Sequence, residues 1–458
     1  MKEVILLNSP LFREYNPNYD EDALPPLGLG YLGTSLRRHG VKVDLIDAVD
    51  DRIPLKRLVN MLDEARPDVI ASNIFTTNAH LVRELVENIP FKTHFIIGGL
   101  STKQLYHEIF RWETTNPIDV VTGDGEYIIV DLVKEQMKEP PVCREGNKRF
   151  FQVGIGSVYE VKDISAVALD RSFFKNEPVK HPLGFQEANI VASRGCIFNC
   201  TFCAAARSLN NDYSVRERSV ASIQNELSQI NETFPAVNSI RVLDDLFLKH
   251  RESVVNAVRV FSNFGFQWRA MAHVLTFNKV EVDLLRELKQ SGCFELFIGI
   301  ESGSPRVLRQ INKTSNIAKI IDNLSRVLSV GIHLKGYFIY GFPSETVEDM
   351  ERTYTLARTL KERANAFGAN FRTSVFQYRP YHGTQIFHDL ETRGINPNVE
   401  NVEPNPKLSD LVGRLQFNFH TGNFSEVSSK VLNNYIYRTT NLNDGNIFGD
   451  LQKNSNPV

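Results

Sequence analysis

Short apolar runs alternate with amphipathic, helix-like stretches along the first 140 residues. The apolar runs predict five strands, at residues 4–7, 41–46, 69–72, 95–97 and 120–121. These runs are continuous and lack the alternating polar positions of a half-exposed sheet, so they predict a parallel sheet with helices on both faces. We therefore expect a doubly wound α/β domain over residues 1–140.

A second alternation of strands and helices covers residues 186–395. Its six predicted strands lie at 189–192, 239–243, 267–270, 295–300, 333–340 and 372–377. Six strand–helix units on parallel strands predict a partial (β/α)6 barrel of the TIM type. Residues 141–185 are interpreted as a linker with a small hairpin. Residues 396–458 are Asn-rich and predict a C-terminal helical extension, with one helix near 424–435, and a tail.

Composition narrows the class of protein. A chain of 458 residues suits two or three domains, and its net charge of -2 comes without a long basic run. We therefore expect no nucleic-acid or membrane partner. No apolar run reaches the length of a membrane-spanning helix, and no leader pattern is seen at the N-terminus. Three of the five cysteines crowd into eight positions, which indicates metal binding in a reducing cytoplasm rather than a disulfide framework.

The cysteine cluster is Cys196, Cys200 and Cys203, spaced CxxxCxxC after a predicted strand. Three thiolates can hold three irons of a cubane cluster and leave the fourth iron free. A structural zinc site would need a fourth ligand, which Cys143 or Cys293 would have to supply. A non-catalytic, zinc-binding scaffold is therefore the alternative from another class.

The cysteine segment resembles the signature of radical S-adenosylmethionine (SAM) enzymes. The resemblance implies a 4Fe–4S cluster that binds SAM and reductively cleaves it to a 5′-deoxyadenosyl radical. Phe202 would then lie against the adenine, and Glu301, with Ser302 beside it, would bind the ribose hydroxyls. Gly336 and Gly341 resemble the family's glycine-rich strand and turn, which let the backbone approach the adenine.

An acidic pair, Asp244 and Asp245, follows the second predicted strand of the barrel. It resembles a pair found in cobalamin-linked radical SAM enzymes. These two residues are the candidate catalytic groups: one would cap a helix, and the other would face the substrate.

A glycine string, Gly28 to Gly33, has the GxGxxG spacing of dinucleotide-binding folds. It does not directly follow the first strand, so we do not expect NAD or FAD. The domain resembles instead the cobalamin-binding domain that precedes the barrel in one radical SAM subfamily. The resemblance implies cobalamin contacts at the ends of the parallel strands, namely at Ser9, Gly28, Ser72, Gly98, Gly99, Gly123, Gly125 and Glu126. The Asp-x-His-x-x-Gly string of a cobalt ligand is absent, so a degenerate docking domain is the alternative.

These resemblances imply a cobalamin-dependent radical SAM methyltransferase that acts on an unactivated carbon. One SAM would supply the methyl group by way of cobalt, and a second would be cleaved at the cluster. A small-molecule or peptide substrate would lie between the domains, and a flavodoxin or ferredoxin would supply electrons. The alternative within the family is a non-methylating rearrangement, cyclisation or oxidation.

Overall fold

The computed structural model describes residues 2–10, 24–175, 177–180, 184–395, 397 and 422–443. Two seven-stranded sheets follow one another along the chain. No helix in these ranges is long and apolar enough to cross a membrane.

The first sheet has the strand order β2-β1-β3-β4-β5-β7-β6, and its first five strands are all parallel. This order is that of a flavodoxin-like, doubly wound sheet. Its strands are β1 Glu3–Asn8, β2 Lys42–Asp47, β3 Val69–Asn73, β4 His94–Gly98, β5 Ile118–Gly123, β6 Cys143–Glu145 and β7 Lys148–Val153. Its helices are α1 Leu27–Arg38, α2 Leu55–Ala65, α3 Ala79–Asn88, α4 Thr102–Ile109 and α5 Ile128–Lys134.

Two separate apolar cores lie on the two faces of this sheet. The prediction of a parallel sheet covered on both faces is thus confirmed. The sheet is wider than the five strands predicted, because the hairpin of β6 and β7 joins its edge. Strand β7 pairs in parallel with β5, so the sheet continues to Val153, beyond residue 140.

The second sheet has the order β16-β15-β14-β13-β12-β9-β8, and six of its strands are parallel. The predicted partial (β/α)6 barrel is confirmed. Its strands are β8 Val179–Lys180, β9 Gln186–Ile190, β12 Ser239–Val242, β13 Gln267–Ala272, β14 Cys293–Glu301, β15 His333–Tyr340 and β16 Phe371–Gln377. A separate two-stranded ladder joins β10 Ser193–Arg194 to β11 Arg216–Glu217.

Helices cover the outer face of this second sheet and bury the largest core of the molecule. They are α6 Val220–Thr233, α7 Arg251–Phe261, α8 Val282–Gln290, α9 Pro305–Gln310, α10 Ile317–Ser329, α11 Val347–Ala366, α12 Gln385–Thr392 and α13 Ser429–Thr440. Helix α13 overlaps the helix predicted near 424–435 but begins later, at Ser429, because the Ser428 side chain caps it by accepting from the Val431 N–H. Most of the predicted extension, 396–458, lies outside the described residues.

The inner face of the barrel carries buried charges. Arg269 donates to both carboxylate oxygens of Glu187, at 2.8 and 2.5 Å, and Arg372 donates twice to Glu295 at 2.7 Å. Although burial alone would raise it, Arg372 and Arg269 lower the pKa of Glu295 to about 2. Removing one partner of such a network typically costs about 3–5 kcal/mol, because it leaves a charge buried and uncompensated.

Candidate active site

A cavity of about 430 Å³ opens between the carboxyl ends of the first sheet and the beginning of the cysteine segment. Seven of the eight residues predicted to contact cobalamin line it: Gly28, Ser72, Gly98, Gly99, Gly123, Gly125 and Glu126. The barrel contributes Ser193, Arg194, Leu243 and Asp245 to the opposite wall. The cavity therefore lies where a doubly wound sheet binds ligands, and both domains enclose it.

Glycine makes room in this wall at specific points. Among the described residues, a Cβ added at Gly28 would meet no atom within 4 Å, and one at Gly98 would meet only a carbonyl oxygen at 3.9 Å. Side chains there would fill the cavity itself. Gly99 and Gly123 have φ values of +121° and +96°, which turn the chain sharply after β4 and β5. A broad, flat cofactor such as cobalamin fits a wall of this kind.

The GxGxxG string lies inside helix α1 rather than in a phosphate-binding turn. Pro26 precedes the helix, and Gly28 sits in its first turn. At Gly30 and Gly33, a Cβ would collide with Phe174 and Phe173, at 2.4 and 2.6 Å. These two glycines therefore allow close helix packing, which accounts for the spacing without a dinucleotide.

Ser9 is the predicted cobalamin contact that the structure places elsewhere. It is buried at the end of β1, where its N–H donates to the Asn73 side chain at 3.3 Å. It is not part of the described cavity lining. Asn73, two residues before the exposed Phe75, lines the cavity instead.

The three cysteines lie in a loop after β10, close to one another. Burial raises the pKa of each thiol, that of Cys203 to about 12, and Cys196 and Cys200 raise the pKa of Cys203 further. Backbone N–H groups oppose this effect: that of Phe198 donates to Cys196 Sγ at 3.5 Å, and that of Ala205 to Cys203. Such donors are typical of iron–sulfur ligands, and metal ions deprotonate coordinating thiols, so this donor set fits a cluster.

No group of three or more His, Cys, Asp or Glu in the described part of the chain is arranged to hold a single metal ion. Cys143 belongs to β6 at the edge of the first sheet, and Cys293 is fully buried at the start of β14. Cys143 is paired with Phe150 and Cys293 with Trp268 within the two sheets, so no cysteine of the described residues is seen to join the loop as a fourth zinc ligand.

Glu301 ends strand β14 with a φ of +64° and accepts a hydrogen bond from Lys313 at 2.8 Å. The Lys313 amine also donates to the carbonyl of Gly299 at 2.7 Å. Although burial opposes it, Glu301 raises the pKa of Lys313, and the lysine charge lowers the pKa of Cys196 and Cys200. The predicted ribose-binding carboxylate therefore shares a buried ion pair beside the cysteines, and the sequence analysis missed its partner.

The other predicted SAM contacts divide into two groups. Phe202 packs edge-on against Phe342 of the turn after β15, with ring centroids 5.6 Å apart, and Gly341 forms that turn with a φ of +93°. Ser302 is fully buried and bonded to Thr353. Gly336 faces the core, where a Cβ would meet Phe371 and Ile300. Phe202 and Gly341 are thus brought to one side of the cysteine loop, whereas Ser302 and Gly336 serve packing.

The acidic pair holds the start of the cysteine loop. Asp244 accepts from the Ala192 N–H and the Ser193 hydroxyl, both at 2.7 Å, and burial raises its pKa to about 6. Asp245 accepts from the Gly195 N–H at 3.1 Å, lines the cavity, and lies near enough to Cys196 and Cys203 to raise the pKa of both. Of the two, Asp245 faces the space between the cavity and the cysteines.

His273 is a second residue that the sequence analysis missed. It follows β13 directly, and its ring stacks on Phe198 of the cysteine loop with centroids 3.8 Å apart. The Leu275 N–H donates to its Nδ1 at 3.2 Å, which places the proton of the neutral ring on Nε2. Burial, reinforced by Lys313, lowers the pKa of His273 to about 3. A polar residue at the carboxyl end of a parallel strand was the available signal.

Comparison with known proteins agrees with this geometry. Residues 190–357 match the model of the Radical SAM superfamily, and residues 21–133 match that of the B12 binding domain. An uncharacterized methyltransferase of Pyrococcus horikoshii is 29% identical over 357 residues, which are 73% of each chain. Cytidylyl-2-hydroxyethylphosphonate methyltransferase of Streptomyces wedmorensis is 23% identical, over 86% of this chain and 82% of its own.

Solved structures share the fold over most of the chain. The radical SAM methyltransferase TsrM from Kitasatospora setae superposes with a TM-score of 0.61 at 16% identity, over 86% of this chain and 76% of its own. The cobalamin-dependent SAM radical enzyme OxsB, solved with aqua-cobalamin bound, gives a TM-score of 0.57 at 18% identity. That match covers 78% of this chain but only 52% of OxsB.

The chain therefore carries a radical SAM domain together with a B12 binding domain, the combination that defines cobalamin-dependent radical SAM enzymes as a class. The cofactors of this class are a 4Fe–4S cluster, SAM and cobalamin, and the cysteine loop and the glycine-lined cavity fit them. Radical SAM enzymes in general act on a substrate and require a reductant.

Proposed function

We propose that the protein is a cobalamin-dependent radical SAM methyltransferase acting on an unactivated carbon of a small-molecule or peptide substrate. The observation that carries this proposal is the shared wall of the cavity. Asp245 lines the glycine-walled cavity and also lies beside Cys196 and Cys203. A substrate at Asp245 would therefore border both cofactor sites. The methyltransferase names of the relatives from Pyrococcus and Streptomyces support the choice of reaction.

When bound, the cluster and cobalamin would supply reductive SAM cleavage and methyl transfer, respectively. The protein would hold and orient the cofactors and the substrate, and it would exclude water from them. Cys196, Cys200 and Cys203 would ligate the cluster, Glu301 with Lys313 would orient SAM, and Phe202 would pack against its adenine. The cavity glycines would admit the corrin.

In this proposal the two aspartates have different roles. Asp244 is fully engaged by Ala192 and Ser193, so it would position the cysteine loop. Asp245 has its carboxylate at the cavity wall, so it would contact the substrate. Burial raises the pKa of Asp245, whereas the Gly195 N–H and the charge of Lys249 lower it.

The test is to purify the protein anaerobically with hydroxocobalamin supplied and to measure iron, sulfide and cobalt. The protein is then reduced with titanium(III) citrate, incubated with SAM alone, and analysed for S-adenosylhomocysteine and 5′-deoxyadenosine. Bound corrin together with both products supports the methyltransferase, because each product reports one use of SAM.

The other outcomes separate the alternatives. A protein that retains iron and sulfide but no corrin would overturn the cobalamin-dependent reaction. 5′-Deoxyadenosine without S-adenosylhomocysteine, from protein that holds corrin, would favour a non-methylating radical reaction.

A further inference from the structure

The segment Asp124-Gly125-Glu126, after β5, contains two carboxylates that the proposed chemistry does not use. Both carboxylate residues are buried, Asp124 at 5% and Glu126 at 4% exposure, although Gly125 and Glu126 line the cavity in which cobalamin would bind. Each carboxylate is held by an arginine of the other domain. Glu126 pairs with Arg194, and Asp124 accepts from Arg194 at 3.2 Å and from Arg216 at 2.5 and 3.0 Å.

Arg194 occupies a particular place in the chain. It lies two residues before Cys196, it lines the cavity, and its guanidinium sits 5.5 Å from the centre of the Tyr31 ring in helix α1. Arginine suits this position, because its planar fork can engage two carboxylates at once, which a lysine ammonium cannot do with the same geometry.

The residues beside Arg194 are fixed from the barrel side. The Ser193 hydroxyl donates to Asp244 at 2.7 Å and accepts from Lys249 at 2.8 Å, while the Gly195 N–H donates to Asp245. Two acidic pairs, one in each domain, thus hold three consecutive residues. Because these residues lead directly into the cysteine loop, the position of that loop depends on both domains.

We propose that Arg194 is a positioning residue that fixes the cluster-binding loop against the cobalamin cavity. The inference rests on the proposed function, since it requires both cofactors to be bound. The ion pairs of Arg194 with Asp124 and Glu126 set the distance between the cluster and cobalamin. Cobalamin bound in the cavity in turn restrains the Arg194 side chain, which lines it.

The experiment uses holoprotein carrying cob(II)alamin and the reduced cluster, and measures their magnetic interaction by EPR. The variants are Arg194→Gln, which removes the positive charge, and Arg194→Lys, which keeps the charge but lacks the planar guanidinium group. We expect R194Q to weaken the spin–spin interaction or to widen the distribution of its strengths. Cobalamin affinity should fall about tenfold, while iron and sulfide stay at wild-type levels. R194K should recover part of the interaction.

The matched control is Lys103→Gln. Lys103 of helix α4 forms an ion pair with Asp212 in the other domain, and neither residue is among the described cavity lining. K103Q should leave the spin–spin interaction at its wild-type strength. If K103Q perturbs it as much as R194Q does, the effect is general loosening of the domains and the proposal is wrong.

Two further outcomes are decisive. An R194Q protein that holds both cofactors with an unchanged interaction would overturn the role of Arg194 and leave the proposed function intact. Wild-type protein that never retains corrin would overturn the proposed function and this inference with it. If R194Q does not fold, Glu126→Gln, which keeps an acceptor but removes one charge, gives the same measurement, and an unchanged interaction there also contradicts the proposal.

Discussion

The first domain lines its side of the cavity with five glycines set among apolar side chains, whereas the barrel domain presents thiols, carboxylates and a lysine near it. In the first domain an apolar core extends to the cavity, and the room for a ligand depends on positions that carry no side chain. In the barrel, function depends on side chains whose charges are balanced by buried partners, as Glu301 is by Lys313. The first domain therefore supplies the space for a cofactor, and the barrel domain supplies the reactive side chains.

The largest effect is expected from a change on the chemical side. Cys200→Ala removes one of three proposed ligands, and the remaining two thiols cannot hold the cluster. We expect loss of iron, sulfide and 5′-deoxyadenosine formation, with cobalamin binding retained because the first domain is untouched. Metal analysis and product analysis after anaerobic reconstitution measure this.

Cys143→Ala is the control for the cysteine change, since Cys143 lies at the far edge of the first sheet in β6. It should keep wild-type iron content. Undiminished SAM cleavage in C200A would show that the cluster is bound elsewhere, and the contrast between the domains would lose its basis.

A change on the glycine side should have a smaller effect. Gly28→Leu places a side chain into open cavity space, as a Cβ there meets nothing within 4 Å. Gly28 is helical, so leucine should preserve or slightly raise stability, by about 0.8 kcal/mol from helix propensity. We expect cobalamin affinity to fall about tenfold, a loss of about 1.4 kcal/mol, while cluster content is unchanged.

Equilibrium binding of hydroxocobalamin and thermal unfolding measure the two quantities separately. Gly265→Leu is the matched control, because Gly265 is exposed and its Cβ also meets no atom within 4 Å. It should bind cobalamin as the wild type does. Unaltered affinity in G28L would mean that the corrin does not use this part of the wall.

The same contrast explains what the sequence could predict. Strand and helix positions follow from local periodicity, so the two sheets and their order along the chain were predicted correctly. The cysteine triad and the cavity glycines were found because each is a short contiguous motif. Lys313 and Arg194 were missed, because their roles depend on Glu301, Asp124 and Glu126, which only the fold brings to them.

Orientation was a second limit. Gly336 belongs to a motif that predicts contact with adenine, yet the pleat of β15 turns this position toward Phe371 in the core. Likewise, the hairpin of β6 and β7 was predicted, but pairing of β7 with β5 is a long-range contact that local pattern does not encode.

The smallest effect at mildly acidic pH concerns Glu345, in the turn that carries Gly341. One carboxylate oxygen accepts from the Gly341 and Phe342 N–H groups, at 2.5 and 3.2 Å, and the other is buried without a hydrogen-bond partner among the described residues. Burial raises the pKa of Glu345 to about 8, against the lowering effect of these two donors. The folded protein therefore holds this group protonated at neutral pH.

The sign of the pH dependence follows from this shift. An acid whose pKa is higher in the folded state than in the unfolded state, where it is about 4.3, stabilises the fold fully below that lower value. The contribution is lost as pH rises to about 8, at about 1.4 kcal/mol for each pH unit between the two values. Glu345→Gln imitates the neutral acid, so it should come close to the wild type near pH 5, gain stability over it steadily as pH rises, and keep a constant advantage above about pH 8. Denaturant unfolding across pH 5–9 measures the difference, with Glu287→Gln on the exposed face of α8 as the control that should follow the wild type. If E345Q follows the wild type as well, Glu345 is ionised in the folded protein. The turn after β15 then contains a buried charge rather than a neutral group.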